Sequence, residues 1–395
     1  MTSRAALHDL VRRVEAATPP GRDRALDALR ALAVLGVVLG HWLVTALVAD
    51  SGTVHATSPL RHLPALTPAT WVFQTLAVFF LVGGTVAARG HAAARARGTG
   101  YAVWLRARVA RLFRPVVAVL TVWAVAAAAM LVAGVTPDTV RTLGDLVLSP
   151  LWFLLVFTAL TAATPLVARL HPAWPLAAVL IVDVLRFGLG APAWLGWIDV
   201  AAGWLVPYCL GAAWSRRLPR SRATGWALLL GGGAATAGLV LYAGYPASMV
   251  GVPGAPVSNL NPPTLAAVTF GLAQCGAALL LLGPLRRLLT RRPALWAAVA
   301  LLNLSVMTVF LWHQTAMMAV TATGLLAGAP LPGLHTPPDG PGWVLARLGW
   351  LPVFAAALLV CVAAFRSYER GRPRRDRRTT GGHRTAPETV RAAGY

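Results

Sequence analysis

The sequence contains no lysine and few charged residues of any kind. Only 12% of its 395 residues are charged, well below the ~25% of an ordinary soluble domain. Hydrophobic residues make up 57% and the mean hydropathy is +0.65, which excludes a disordered chain because disorder requires low hydrophobicity. The formal net charge is nevertheless +22, and arginine supplies all of the positive charge. A soluble nucleic-acid-binding protein would combine such a charge with an ordinary apolar fraction, so we expect no nucleic-acid partner.

Cysteine is also scarce. The three cysteines, Cys209, Cys275 and Cys361, each lie in an apolar run, and none belongs to a CxxC pair or to a pair with metal-ligand spacing. The sequence therefore supports neither a disulfide scaffold nor a zinc site, and we expect no metal.

Long apolar runs reconcile the hydropathy with the charge. About 20 mostly apolar residues are needed to cross a bilayer as a helix. Ten segments qualify, near residues 29–49, 69–88, 115–135, 148–168, 173–190, 194–214, 224–243, 264–284, 296–326 and 346–365. The sequence predicts an all-α, polytopic bundle of about ten transmembrane helices.

The distribution of arginine predicts the orientation of this bundle. With ten spans, 31 of the 35 arginines fall on one side, and changing the number of spans by one would destroy this segregation. The positive-inside rule then places both termini in the cytoplasm of a multi-pass cell-membrane protein. We divide the chain into a basic cytoplasmic segment (1–26), a membrane domain (27–365) and a basic tail (366–395), which we expect to be disordered and attracted to anionic lipid.

The first span carries ionisable residues that are costly in hydrocarbon and are therefore functional candidates. Asp27 and Arg30 are three positions apart on one helix face, and His41 follows Arg30 by about three turns and ~16 Å on the same face. Gly36 and Gly40 would allow another helix to approach closely. His41 could accept a proton near neutral pH. The alternative is a structural histidine that is hydrogen-bonded across helices, with Arg30 as a topology anchor.

Two further patterns each have a functional and a structural interpretation. Arg108, Arg111 and Arg114 recur every three residues and would form a cationic stripe, which suits a phosphorylated ligand but also fits ordinary positive-inside patterning. His313 and Gln314 lie in an otherwise apolar span, where they could serve catalysis or make a structural interhelical hydrogen bond.

The polar residues of the fifth and sixth spans favour a structural interpretation. Asp183 and Arg186 have the spacing of an ion pair that neutralises itself within one helix. Asp199 follows a tryptophan-rich turn, and we expect it at the outer interface.

Several motifs together resemble one family, the integral-membrane acyltransferase 3 proteins. The resemblance extends over about residues 24 to 365 and is strongest where Arg30 and His41 are separated by ten residues, as in the family's opening motif. The other matching segments are F-F-L-V-G-G (79–84, with Gly83 in place of the usual serine), Arg108-V-A-Arg111 with Pro115, L-W-F-L (151–154), S-N-L-N-P-P-T (258–264) and L-W-H (311–313).

This resemblance implies a membrane O-acyltransferase. Such enzymes use an acyl-CoA, here expected to be acetyl-CoA, from the cytoplasmic side of the bilayer. The acceptor would be a hydroxyl or amine on a carbohydrate, glycan, lipid or secondary metabolite. By the same resemblance His41 would be the catalytic base with Arg30 in support, and Arg108 and Arg111 would bind the donor or be structural. Together with Arg114, as a cationic stripe, they would hold the phosphates of CoA at the cytoplasmic side.

On this interpretation, His313 and Asp27 would orient the acceptor or relay the proton. Two departures from the family pattern predict a substrate different from that of the glycan O-acetylating members. Gly83 replaces the serine, and the segment L-W-F-L-L-V-F (151–157) lacks a glutamate found in some branches.

A transporter or flippase for a glycan or lipid is the main alternative, and an accessory membrane protein is a third. Transporters often show internal repeats or paired broken helices, and the sequence has no clear repeat. In an accessory protein we expect the buried polar residues to be distributed over unrelated helix faces. Arg30 and His41 instead lie on one face of the first span, which favours an enzyme.

Overall fold

A computed structural model describes residues 3–50, 53–215 and 221–369, and this part of the chain is largely helical. Its α-helices are α1 (Ser3–Ala16), α2 (Arg24–Val44), α3 (Pro59–His62), α4 (Thr70–Phe73), α5 (Leu76–Ala96), α6 (Tyr101–Val132), α7 (Pro137–Leu148), α8 (Leu151–Ala162), α9 (Thr164–Val167), α10 (Ala173–Asp183), α11 (Trp197–Ser215), α12 (Arg222–Tyr242), α13 (Leu265–Arg291), α14 (Pro293–Leu304), α15 (Val306–Gly324) and α16 (Pro341–Glu369).

Nine segments of the described chain are long and apolar enough to cross a membrane, which confirms the predicted polytopic helical bundle. They are Arg24–Val44, Pro64–Ala96, Tyr101–Val132, Pro137–Ala162, Ala193–Ser215, Arg222–Tyr242, Leu265–Arg291, Val306–Ala327 and Pro341–Glu369. The spans predicted at 194–214 and 224–243 agree closely with the structure, whereas most other boundaries differ by five or more residues. The first span ends before the predicted residue 49, because Ala46–Asp50 forms a strand. The fourth span begins earlier than expected, because α7 and α8 follow each other almost without a break.

The predicted span at 173–190 is not among these nine segments, because its regular helix is too short. Its regular helix, α10, has 11 residues and is followed by a π-helical turn at Val184–Gly188. The Asp183 carboxylate accepts a hydrogen bond from the backbone N–H of Leu265 at 2.6 Å, so α10 ends where α13 begins. The C-terminal end of α10 therefore lies at the same end of the bundle as the N-terminus of α13.

The predicted span at 296–326 is two helices. The helix breaks at Ser305, whose backbone angles are φ −128° and ψ 20°. With 12 residues, α14 rises only ~18 Å, which is short of the ~30 Å hydrocarbon core. It packs against the start of α2, where Trp296 contacts Ala28 in a small apolar cluster. The spanning part is α15.

Glycine allows two pairs of helices to pack with their backbones nearly in contact. A Cβ on Gly84 of α5 would overlap the Tyr208 carbonyl of α11, and one on Gly211 would overlap the Leu81 carbonyl of α5. A Cβ on Gly232 of α12 would lie 2.6 Å from the Thr269 carbonyl oxygen of α13. Because lipid is as apolar as leucine, such close packing is a main source of helix association in membranes.

A short antiparallel hairpin follows α2. Its strands are β1 (Ala46–Asp50) and β2 (Thr53–Thr57), paired with Ala46 opposite Thr57. The hairpin is tied to distant loops, since Ala49 N–H donates to the His335 carbonyl at 3.3 Å and Val54 N–H donates to Thr139 Oγ1 at 3.1 Å. It therefore forms part of a cap over the C-terminal end of α2.

The basic tail predicted from 366 onward lies mostly outside the described residues, which end at Glu369. Up to that residue, α16 is helical. The predicted division into an N-terminal segment, a membrane domain and a tail stays a prediction.

Candidate active site

Helix α2 carries both Arg30 and His41. Its helical propensity comes from alanine and leucine, and Asp23 caps its N-terminus by accepting a hydrogen bond from Leu26 N–H. The helix is unbroken, so the eleven positions between Arg30 and His41 separate them by ~16 Å. Arg30 lies at the arginine-rich end of the bundle, and His41 lies toward the hairpin.

His41 is half-buried beside α15. The side-chain nitrogen of Gln314 lies 3.1 Å from His41 Nδ1. The ring of His313 lies next to that of His41, with centroids 5.1 Å apart. The following residue, Trp42, donates from its indole Nε1 to the His313 carbonyl at 2.9 Å, which fixes α2 against α15 at this level.

His313 is fully buried, and a backbone carbonyl determines which of its ring nitrogens carries the hydrogen. Its Nδ1 lies 2.6 Å from the Phe310 carbonyl oxygen, and because a carbonyl only accepts, Nδ1 carries the hydrogen. Nε2 then keeps its lone pair and has no protein partner within the described chain. The structure thus brings together the two histidines that the sequence singled out, and it adds Gln314.

A break between α4 and α5 brings Gln74 to the same level of the membrane. Gly36 and Gly40 of α2 face this break, as the small-residue spacing predicted, and Thr75 Oγ1 donates to the Ala33 carbonyl at 2.7 Å. The Gln74 carbonyl accepts a hydrogen bond from Gln274. Irregular backbone at membrane depth is tolerated where it is buried or lines a cavity, and here it does both.

A cavity of about 620 Å³ lies over His41. Its floor includes His41, Gln314 and Gln74, and its walls are built from the end of α2, the hairpin, α7–α8, the 249–260 loop and α16. This size is typical of small-molecule sites.

Arg347, near the start of the last predicted span, forms part of the wall. It lies in α16 and is 2% exposed. Its guanidinium donates to the carbonyls of Trp42 and Thr45 at 2.6 Å each and to that of Gly333 at 2.8 Å. Arg347 therefore caps the C-terminal end of α2, immediately after His41, and joins it to the outer loop.

At the opposite end of α2, Arg30 is held by two partners. Its Nε donates to Asn303 Oδ1 at 2.5 Å, and its Nη2 donates to Asp27 Oδ1 at 3.1 Å. Asp27 also accepts from Arg22 at 2.7 Å. The expected pairing of Asp27 with Arg30 is present, but Arg30 does not reach His41.

The three arginines of α6 differ in their surroundings. Arg108 donates to the Val86 carbonyl at 3.2 Å, lies against the Trp104 ring at 5.2 Å and fills the space left by Gly90. Arg111 and Arg114 are exposed, with no ion pair to any described residue. Arg111 also lies close enough to Arg30 to add to the positive field there. Arg108 is therefore held by contacts within the protein, whereas the side chains of Arg111 and Arg114 are available to a ligand.

Glu369 is a residue that the sequence analysis missed. Its carboxylate accepts hydrogen bonds at 3.2 Å from the backbone N–H groups of Met307 and Thr308, and at 2.9 Å from the Thr308 hydroxyl. It thus caps the N-terminus of α15, where a negative charge is favourable. The available signal was that Glu369 is the first acidic residue after the last span and precedes most of the arginines there.

A second polar cluster lies away from His41. Asp183 and Arg186 form the expected ion pair at 3.8 Å, and the Tyr245 hydroxyl donates to Asp183 at 2.9 Å. Burial and the Asp183 carboxylate raise the pKa of Tyr245, so its hydroxyl remains a donor. Asp199 was expected at the interface, but it is fully buried. Within the described residues, no three histidines, cysteines or carboxylates come together as a metal site.

Residues 23–366, which include every element described around His41, match the sequence model of the family's acyltransferase domain. The chain belongs to the acyltransferase 3 family. None of the curated proteins or solved structures compared with it gives a match.

Two departures of this acyltransferase 3 protein from the family pattern meet in space. The ring of Phe157 packs where a side chain on Gly83 would project, so a Cβ there would overlap it. Gly83 stands for the usual serine, and Phe157 belongs to the segment that lacks the glutamate. Gly83 and Phe157 therefore pack against each other, and Phe157 also contacts Phe79 and Phe153.

Proposed function

We propose that this protein transfers an acyl group, acetyl in the simplest case, from acyl-CoA to an acceptor hydroxyl, with His41 as general base. The observation that carries the proposal is the place of His41, half-buried at the floor of a ligand-sized cavity and oriented by Gln314. Membership of the acyltransferase 3 family supports acyl transfer in general.

The arginine-rich end of the bundle would receive the donor. Arg111 and Arg114 have no carboxylate partner among the described residues, and guanidinium groups bind phosphate well. Arg30 lies nearby and extends the positive field toward α2. Because CoA separates its phosphates from its thioester by the long pantetheine arm, the donor could bind at this end while its acyl group reaches His41.

The chemical step would be a direct transfer. With the Gln314 amide turned so that its oxygen faces Nδ1, His41 Nε2 takes the proton of the acceptor hydroxyl as the oxygen attacks the thioester carbonyl. The new C–O bond forms, the C–S bond breaks, and the CoA thiolate leaves and takes the proton back from the imidazolium. No acyl-enzyme is required, since neither a serine nor a cysteine side chain contacts His41 through a hydrogen bond that the structure records.

The two relay residues named from the sequence receive different roles. We assign His313 to the proton path or to acceptor orientation, because its Nε2 is free and its ring adjoins that of His41. Asp27 lies at the other end of α2 and neutralises Arg30 and Arg22. We therefore assign Asp27 to holding Arg30.

The arginine distribution supports a cell-membrane orientation with both termini in the cytoplasm. Acyl-CoA would then bind from the cytoplasm, and the cavity over His41 would lie toward the outer face. A cysteine introduced at an exposed position of the hairpin, such as His55→Cys, should react with a membrane-impermeant maleimide from outside intact cells.

The test is release of CoA and transfer of label from radioactive acetyl-CoA by purified protein in lipid nanodiscs. We expect His41→Ala to reduce the rate by at least about 10²-fold, the usual contribution of a general base. His62→Ala is the matched control, because His62 is exposed on α3. Equal rates for wild type and His41→Ala would contradict the proposal, and a transporter would give no thioester cleavage at all.

A further inference from the structure

We propose that the acceptor is a bulky, largely apolar molecule that presents a hydroxyl group, and is not a water-soluble polysaccharide. The inference rests on the proposed function, since it concerns what occupies the cavity over His41. It is carried by the contrast between the walls and the floor of that cavity.

The walls offer an occupant apolar contact and almost no charge. Leucine, valine, phenylalanine, tryptophan and proline side chains dominate them, including Leu60, Phe73, Trp152 and Trp343. Among the lining residues that the structure describes there is no carboxylate. A chain of sugars that entered this space would lose water from many hydroxyls and regain few hydrogen bonds, because lining hydroxyls such as those of Thr70 and Ser149 already donate to backbone carbonyls. Each unpaired group would cost binding free energy.

The one permanent charge in the wall is not available to a ligand. The guanidinium of Arg347 donates hydrogen bonds to the backbone carbonyls of Trp42, Thr45 and Gly333, and it also contacts the sulfur of Met317. Its charge therefore stabilises the fold around α2 and offers no site for an acidic glycan or a phosphate.

The floor, in contrast, is polar and incompletely satisfied. Gln74 is 5% exposed, and its side-chain oxygen has no hydrogen-bond partner in the described chain. Gln314 is 1% exposed, and His41 Nδ1 pairs with only one end of its amide, so the other end is left without a partner among the described residues. Buried polar atoms are nearly always paired in native proteins. A hydroxyl placed against His41 would supply a partner there. The cavity thus recognises one polar group at its floor and an apolar body above it.

The cavity wall also reaches the apolar perimeter of the bundle. Trp152 of α8 is 37% exposed and Leu348 of α16 is 45% exposed, and both line the cavity. These helices are among the spans whose surface is least buried inside the bundle. An apolar acceptor dissolved in the bilayer would therefore approach the cavity from the side on which Trp152 and Leu348 lie.

The test compares acceptors in nanodiscs with radioactive acetyl-CoA. The apolar probes are testosterone, which is rigid, and hexadecanol, which is flexible; the polar probe is maltohexaose. We expect kcat/KM for at least one apolar probe to exceed that for maltohexaose by about tenfold or more. Equal or higher kcat/KM for maltohexaose would overturn the inference.

Variants of α16 test whether the apolar acceptor binds in the cavity over His41. Leu348→Asp should reduce transfer to the preferred apolar probe by about tenfold, because it places a charge in the apolar wall. Leu348→Ala is a milder second variant and should raise KM for that probe. Leu345→Asp is the matched control, since Leu345 is exposed on the same helix outside the cavity. Equal effects of Leu348→Asp and Leu345→Asp would count against the cavity as the acceptor site.

Failure of this inference differs from failure of the proposed function. CoA release that depends on His41, without preference for the apolar probes, would overturn the acceptor class alone. No His41-dependent CoA release with any probe would overturn the proposed function, and the acceptor class with it.

Discussion

The side-chain amide of Gln314 lies 3.1 Å from Nδ1 of His41, across the contact between α15 and α2. A neutral imidazole carries its hydrogen on one nitrogen only, so this contact decides which nitrogen is the base. If the amide oxygen faces Nδ1, then Nδ1–H donates to it and Nε2 keeps the lone pair that takes a proton. The amide nitrogen and oxygen exchange places by a half-turn, so Gln314 can hold this tautomer.

Gln314 should therefore act as a positioning residue for His41. We expect Gln314→Leu to lower kcat for acetyl transfer on the order of 10², near the contribution of the base itself, while KM for acetyl-CoA stays unchanged. Gln314→Glu keeps an oxygen that can face Nδ1 and should restore most of kcat. Steady-state kinetics of the two variants check this.

The control for Gln314 lies on the same helix. Thr323→Val changes an exposed residue of α15 that bonds only within its own helix, so it should leave kcat unchanged. Full kcat in Gln314→Leu, or a loss in Gln314→Glu as large as in Gln314→Leu, would exclude the tautomer role.

The arginines of α6 should separate into binding and structural residues. We expect the double change Arg111→Gln and Arg114→Gln to raise KM for acetyl-CoA by about tenfold or more, since each charged hydrogen bond to phosphate contributes ~1.5–3 kcal/mol. Arg108→Gln should instead lower the melting temperature, because it removes the bond to the Val86 carbonyl and the contact with Trp104.

Exposed Arg97 provides the comparison for these variants, since Arg97→Gln removes a nearby charge at the end of α5. Both KM and melting temperature should stay at wild-type values in that protein. An unchanged KM in the Arg111 and Arg114 double variant would remove these residues from the donor site.

Local periodicity was sufficient to predict the relation of Arg30 to His41, because both lie on one uninterrupted helix. It also predicted the close approach at Gly36 and Gly40. The contact of His41 with Gln314 joins residues that are 273 positions apart, and only the packing of α2 against α15 creates it. The sequence could name both residues but not their distance.

Hydropathy did not predict the helix break inside the apolar segment 296–326. The segment around Ser305 is apolar on both sides and contains no proline, so no local signal separates α14 from α15. The break is stabilised from outside by Glu369, which caps α15 from the end of α16. The burial of Arg347 was also not predictable from the sequence, because counting charges treats every arginine near a span end as facing water.

The departure at Gly83 gives a test of packing near the site. Restoring the family's serine by Gly83→Ser should destabilise the fold by about 1–3 kcal/mol, because the new side chain overlaps the ring of Phe157. Phe157→Leu removes the ring and should cost stability alone, yet the double variant should be more stable than the sum of the two losses predicts. Thermal unfolding in nanodiscs of the two single variants and the double variant measures this coupling. Gly231→Ser is the control, since a Cβ at Gly231 of α12 meets nothing within 4 Å. Additive losses would mean that Gly83 is not there to accommodate Phe157, and the two departures would then need separate explanations.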